Sequence, residues 1–176
     1  MGIAVLYGSS RRRGNSDLLA DRLVEGREAA RYYLSASRIE PIVDYRHTEA
    51  GAYPEDDYRS IIGGVLAADT LVIASPIYWY GISAPLKLFV DRWSQSLRED
   101  RQGFLEAIRG KRAYLIAVGD DEPGRKGLPI VEQFRHIFDF VGVELAGYAL
   151  GTGNKPGDVL DDAQTLAVID GWRHAL

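Results

Sequence analysis

The chain of 176 residues carries 21 Lys and Arg against 25 Asp and Glu, a net charge of −4 with a pI of about 5.4. Its 46% hydrophobic and 26% charged content is ordinary globular usage, and its length suffices to bury a core as one domain, residues 1–176. There is no cysteine, which excludes a disulfide framework, a thiolate metal or iron–sulfur site and a cysteine nucleophile, and fits a reducing compartment; the mild acidity argues against a general nucleic-acid binder and gives too weak a field for an electron carrier steered by charge.

The chain opens with MGIAVLYGSS, whose apolar run is short and has no Lys or Arg before it, so it does not read as a secretory signal. No stretch approaches the roughly 18 apolar residues that span a bilayer. The expectation is a soluble, cytoplasmic protein. Residues 3–7 read as a buried strand, 8–14 as a loop, and Asn15 or Ser16 as the cap of a helix with Leu18, Leu19, Leu23 and Val24 on one face. Residues 32–34 form a weaker strand candidate, and 38–54, with two prolines and no clear period, a long loop. A helix is predicted over 58–68 from the stripe Ile61, Ile62, Val65 and Leu66, and the clearest buried strand over 70–74.

Residues 76–83 read as a loop, followed by a helix with Pro85 in its first turn and Leu86, Phe89, Val90 and Trp93 on its apolar face. Residues 113–118 are a fourth strand, 120–127 a polar loop, 128–141 a helix stopped by Gly142, 143–150 a fifth strand, and the tail from Asp161 a last helix. Strands and helices therefore alternate, which predicts an α/β fold with a parallel sheet and helices on both faces. Ligands of such sheets bind beyond the carboxyl ends of the strands, so the loops after the first, third and fourth strands are the ones to examine.

The first loop, Gly8-Ser9-Ser10-Arg11-Arg12-Arg13-Gly14-Asn15-Ser16, joins small hydroxyl residues to a helix N-terminus, an arrangement that offers N–H groups and a positive dipole end to an anion. Ser9, Ser10 and Ser16 can donate to phosphate oxygens, Asn15 can donate or hold the loop, and Arg11 can reach a phosphate as a fork. The loop lacks both the Lys-Ser/Thr end of a triphosphate loop and G-x-G-x-x-G spacing, so it suits a terminal phosphate. A solvated basic loop with an ordinary cap is the bland alternative.

The second loop, Ser75-Pro76-Ile77-Tyr78-Trp79-Tyr80-Gly81, places three aromatics at the open end of the sheet, a wall for a flat apolar ligand such as isoalloxazine. Three adjacent side chains cannot all face one pocket, so at least one is expected to pack under the loop or in a subunit interface. Backbone N–H groups from Tyr78 to Gly81 are candidates to stabilise negative charge on a reduced ring. Lys87 and Asp91, four apart on the next helix, read as a surface ion pair rather than a catalytic one.

The third loop, from Gly119 through Asp120-Asp121-Glu122 to Arg125-Lys126-Gly127, reads either as a flexible cover with Arg125 and Lys126 toward a nucleotide phosphate or as a solvated turn. His47, beside Thr48, Glu49 and Tyr53, reads as a surface histidine or a shaper of substrate access. The three histidines share no metal spacing, and Gly-x-Ser-x-Gly is absent.

Gly8 to Ser16 resembles the phosphate loop of the NAD(P)H-dependent FMN reductase-like family of the flavodoxin-like superfamily, and the run from Ser75 through Pro85-Leu86-Lys87 to Asp91-Arg92 is similar to that family's second signature. The resemblance covers the whole chain in length and element order. It implies a flavodoxin-like sheet of order 2-1-3-4-5, bound FMN, NADPH or NADH as hydride donor, a small acceptor, and a homodimer or dimer of dimers with the flavin near the subunit contact. By residue, it implies Ser9, Arg11, Asn15 and Ser16 on the phosphate, Pro76, Ile77, Tyr78, Trp79 and Gly81 along the ring, and Gly119 opening the third flavin-side loop. The chain departs from the family where Asp120-Asp121-Glu122 stands in place of a glycine pair. The cysteine cluster that some relatives carry is absent from residues 45–58.

Overall fold

A computed structural model describes residues 2–47 and 51–176. Five strands form one sheet: β1 (Ile3–Tyr7), β2 (Ala30–Tyr33), β3 (Thr70–Pro76), β4 (Arg112–Gly119) and β5 (Glu144–Thr152), all parallel and in the order β2-β1-β3-β4-β5. The predicted order and the α/β architecture are both found. The helices are α1 (Asn15–Leu23), α2 (Tyr58–Ala67), α3 (Ala84–Asp91), α4 (Trp93–Glu99), α5 (Arg101–Ile108), α6 (Pro123–Lys126), α7 (Leu128–Val141) and α8 (Ala163–Arg173).

The central strands are buried on both faces, so they read as unbroken apolar runs while their side chains still alternate between two cores. Leu6, Leu71, Ile73 and Leu115 meet Ile61, Phe89, Phe104 and Phe134 from the helices of one face. Val5, Val72, Tyr114 and Ile116 meet Leu19, Leu23 and Ile169 from α1 and α8 on the other. Each such fully buried side chain contributes roughly 1.5–3 kcal/mol. Among the described residues no helix is long and apolar enough to cross a membrane.

Several local expectations are corrected. The first helix is capped by Gly14, not by Asn15 or Ser16, because the side chain of Asn15 is drawn away by a distant loop. The weak strand begins two residues early, at Ala30, where pairing with Ala4 fixes its register. The polar loop at 120–127 contains the short helix α6. The segment after Pro85 is three helices: Asp100 caps α5 by accepting from the Gly103 N–H at 2.9 Å, and α3 gives way to α4 at Arg92.

Arg92 is fully buried and pairs at 2.6 Å with the equally buried carboxylate of Asp56, while also donating to Gln95 and to the Glu40 carbonyl. Burial opposes the Asp56 charge, but hydrogen bonds from Arg92 and from the Glu40 and Tyr58 N–H groups outweigh it and hold its pKa below the usual carboxylate value. This pair ties the irregular segment before α2 to the α3–α4 junction. Removing one partner would strand a buried charge, at a cost of about 3–5 kcal/mol.

Candidate functional site

The loops at the carboxyl ends of β1, β3, β4 and β5 enclose a cleft in two joined halves. One, of about 190 Å³, is lined by Ser9, Arg11, Asn15, Ser16, Pro76, Tyr78 and residues of the 153–156 loop. The other, of about 150 Å³, is lined by Trp79, Tyr80, Asp121, Pro123 and Lys126. Ile77, Gly119 and Asp120 belong to both. Most sequence-predicted site residues thus lie together; Ser10, Gly81, Arg125 and the exposed turn residue His47 line neither half. Thr48 and Glu49 lie outside the described residues.

The first loop is set by close approach. Gly8 donates to the Ala74 carbonyl at 2.7 Å and accepts from the Ser83 hydroxyl at 2.6 Å, while the Ser83 N–H donates to the Ser75 hydroxyl at 3.0 Å. A Cβ on Gly8 would come within 2.9 Å of Ser83 Oγ, and one on Gly14 within 2.6 Å of Ser9 Oγ, so both glycines are there for space. The Asp17 carboxylate accepts from the Gly14 N–H at 3.3 Å. Ser16 is 2% exposed and its hydroxyl has no partner. A buried donor left unmade at a helix N-terminus is costly unless a ligand completes it. The second carboxylate oxygen of Asp17 is likewise unpartnered, and burial, with the neighbouring Asp21, pushes this group up to about 6 against the opposing Gly14 N–H.

Asn15 does not face the cleft as a free donor. Its amide donates to the Lys155 carbonyl at 3.0 Å and its oxygen accepts from the Gly157 N–H at 2.8 Å. It is the tie that brings the loop after β5 into the site, where Asn154 donates to Asp120 at 2.7 Å. Sequence reasoning missed this fourth loop; its one local signal is the turn-forming run Gly153-Asn154-Lys155-Pro156-Gly157.

The second loop is a two-residue turn. Tyr78 and Gly81 exchange both N–H···O bonds at 3.0 Å, and the apex residues Trp79 and Tyr80 both adopt positive φ, +49° and +62°, as this turn class requires. Left-handed backbone costs a non-glycine residue about 1–2 kcal/mol. The turn corrects one expectation: the Tyr78 and Gly81 N–H groups each donate to the other's carbonyl, which leaves the apex pair as the amides the loop can offer. Of the two places expected for at least one aromatic, the space beneath the loop is not used: Tyr78, Trp79 and Tyr80 are 42%, 96% and 48% exposed, because the left-handed apex turns them outward. Tyr78 bonds Ser10 at 2.9 Å and joins the first loop to the second.

The third loop is largely exposed and carries a network of pairs of its own. Asp121 accepts from the Tyr80 hydroxyl at 2.8 Å and pairs with Lys126; Glu122 pairs with Arg125 and Lys126. Hydrogen bonds from Lys126 and Tyr80 hold Asp121 below its ordinary value, and the Asp121 bond raises Lys126 in turn. Arg125 and Lys126 are paired within the loop and are not free cations, while Asp120 has its partner in Asn154 of the loop after β5. Arg11 has no carboxylate partner among the described residues. Lys87 and Asp91 pair with each other on a half-exposed helix face.

A family model for NADPH-dependent FMN reductase matches residues 1–155. The chain is 50% identical to YwqN of Bacillus subtilis, to which the role of an NAD(P)H-dependent FMN-containing oxidoreductase is provisionally assigned; the match covers 95% of this chain and 93% of that one. A solved structure described as a Trp repressor binding protein from Bacillus subtilis is 45% identical, with a TM-score of 0.80 over 95% of this chain and 94% of its own. An FMN-dependent NADH-azoreductase from Bacillus anthracis, solved with FMN, shares the fold at 12% identity and a TM-score of 0.69 over 99% of each chain.

Proposed function

The chain belongs to the NADPH-dependent FMN reductase family, and on that premise we propose that it is an FMN-dependent NAD(P)H oxidoreductase reducing a small acceptor such as a quinone, a flavin, or an azo or nitro compound. The observation that carries this reading is the buried, unpartnered Ser16 hydroxyl at the N-terminus of α1, in a cleft that continues to the Tyr78–Tyr80 aromatics. A phosphate monoester on a flat ring system fits both halves: the polar half lacks an acceptor, and the aromatic half lacks a stacking partner.

Bound FMN supplies the hydride chemistry between nicotinamide and acceptor. The residues bind and orient. Ser9, Ser16, Arg11 and the N-terminus of α1 hold the phosphate, with Asn15 fixing the loop that closes that end. Pro76, Ile77, Tyr78 and Gly119 wall the ring, Gly81 sets the turn, and the apex N–H groups of Trp79 and Tyr80 are placed to answer developing negative charge. The Trp79–Lys126 half of the cleft receives donor and acceptor in turn. Residues 1–176 act as one FMN-binding domain in the cytoplasm, as a homodimer or dimer of dimers; the exposed aromatics beside the cleft favour a subunit contact there.

The test is the visible spectrum of the protein with added FMN, followed by anaerobic NADPH or NADH. A flavin band that bleaches within seconds with one nucleotide supports the reductase and names its donor. Bleaching by dithionite alone would point to an electron carrier, and failure to take up FMN to a flavin-free binding domain.

A further inference from the structure

The three consecutive arginines of the first loop are not equivalent. Arg11 lines the cleft, Arg13 takes the left-handed turn at φ +57°, and Arg12 lies with its guanidinium carbon 3.4 Å from the centre of the Tyr33 ring. Tyr33 is the last residue of β2 and pairs in register with Tyr7, the last of β1. Neighbours in register point to the same face, and their rings stack 4.4 Å apart and 9° from parallel. Tyr7 is buried and its hydroxyl donates to Asp21 on α1 at 2.6 Å. A continuous pile therefore runs from α1 through the tyrosines that end β1 and the edge strand β2 to the middle of the first loop. Neither Arg12 nor Tyr33 lines the cleft.

We propose that Arg12 and Tyr33 form a clamp that sets the first loop in its phosphate-receiving conformation, so that Tyr33, seventeen positions beyond Ser16, is a positioning residue for the cofactor's phosphate. This rests on the reading of the first loop as the FMN phosphate site. Three adjacent arginines repel one another, and a loop of that composition is extended and mobile unless its charges are placed. The clamp holds Arg12 over an aromatic face, which attracts a cation, and turns its charge away from the cleft. Arg11 and the loop N–H groups are then left pre-set for the anion, so less ordering remains to be done on binding.

The test compares FMN with riboflavin, which has the ring and no phosphate, by titration of flavin fluorescence. The wild-type protein binds FMN more tightly than riboflavin. Arg12→Ala, at an exposed position, and Tyr33→Ala each weaken FMN about threefold to tenfold, the range of a cation–π contact, and leave riboflavin unchanged. Tyr33→Phe keeps the ring and stays within about twofold of wild type, and the double variant is no weaker than either single one. Unchanged FMN affinity in Arg12→Ala overturns the clamp, as does equal weakening of FMN and riboflavin in Tyr33→Ala. A wild-type protein that binds FMN no better than riboflavin, or binds neither, overturns the phosphate-site reading itself and the clamp with it.

Discussion

The two ends of the sheet solve one backbone problem differently. At the amino end, where connections enter β2, β4 and β5, left-handed residues are glycines: Gly26, Gly110 and Gly142. At the carboxyl end they are Arg13, Trp79, Tyr80 and Glu122, with Gly157 the exception. Glycine takes this conformation without penalty, and other residues do not. The amino end has relaxed turns, and the carboxyl end keeps its strain together with the unpartnered Ser16 and Asp17 groups. Left-handed strain in bulky residues gathered at one end marks that end as the place where side chains are retained for something other than stability.

If so, relieving substitutions at the carboxyl end should stabilise the apoprotein and harm binding, while substitutions at the amino end should destabilise without touching binding. The largest effect is expected at Asp17. Its carboxyl is raised to about 6 in the folded protein, from 3.8, so the fold favours the protonated form. Its stabilising contribution is full below about pH 4 and is lost as pH rises through 6. Asp17→Asn should therefore unfold in urea with a gain of about 2–3 kcal/mol over wild type at pH 7.5, a gain absent at pH 4. A gain that persists at pH 4 would place its cause outside Asp17's ionisation.

At the other end, Gly142→Ala should lose about 1–2 kcal/mol, since the left-handed cap of α7 admits no Cβ freely and Arg109 Cγ would lie 3.0 Å away. FMN affinity measured by fluorescence should not change; a change would break the separation of the two ends. Ser16→Ala removes the unpartnered hydroxyl. The apoprotein should be as stable as wild type or more so, with FMN bound about tenfold more weakly, or about 1.4 kcal/mol. The smallest overall effect is expected for Trp79→Gly, which relieves one left-handed residue. Its melting temperature should rise by a few degrees, for about 1 kcal/mol, while NAD(P)H-driven bleaching of bound FMN slows. A faster reaction would remove Trp79 from the cleft's work.

The unequal legibility of the two ends follows from the same contrast. The relaxed parts read directly: the apolar runs of β1, β3 and β4 and the stripe of α2 were each set by neighbours in the chain, as was Gly142 as the stop of α7. The site was legible as to which loops and which residues, because Gly8 to Ser16 and Ser75 to Gly81 carry their chemistry in contiguous runs. The work of Asn15 was not legible, since it accepts from the N–H of Gly157, 142 residues away. Nor was the Arg92–Asp56 pair, whose members stand 36 residues apart, or the outward set of Tyr78, Trp79 and Tyr80, which a left-handed apex decides.

The sequence by itself determined the alternation of strands and helices, the buried character of the central strands and the composition of the two loops that carry the site, because periodicity and turn chemistry act over a few residues. Only the tertiary structure decided that a fourth loop closes the cleft, that Asp121 and Glu122 take up Arg125 and Lys126, and that Arg12 is held over Tyr33. Those outcomes depend on which strand ends lie side by side, and parallel strands become neighbours only after a long crossover has closed.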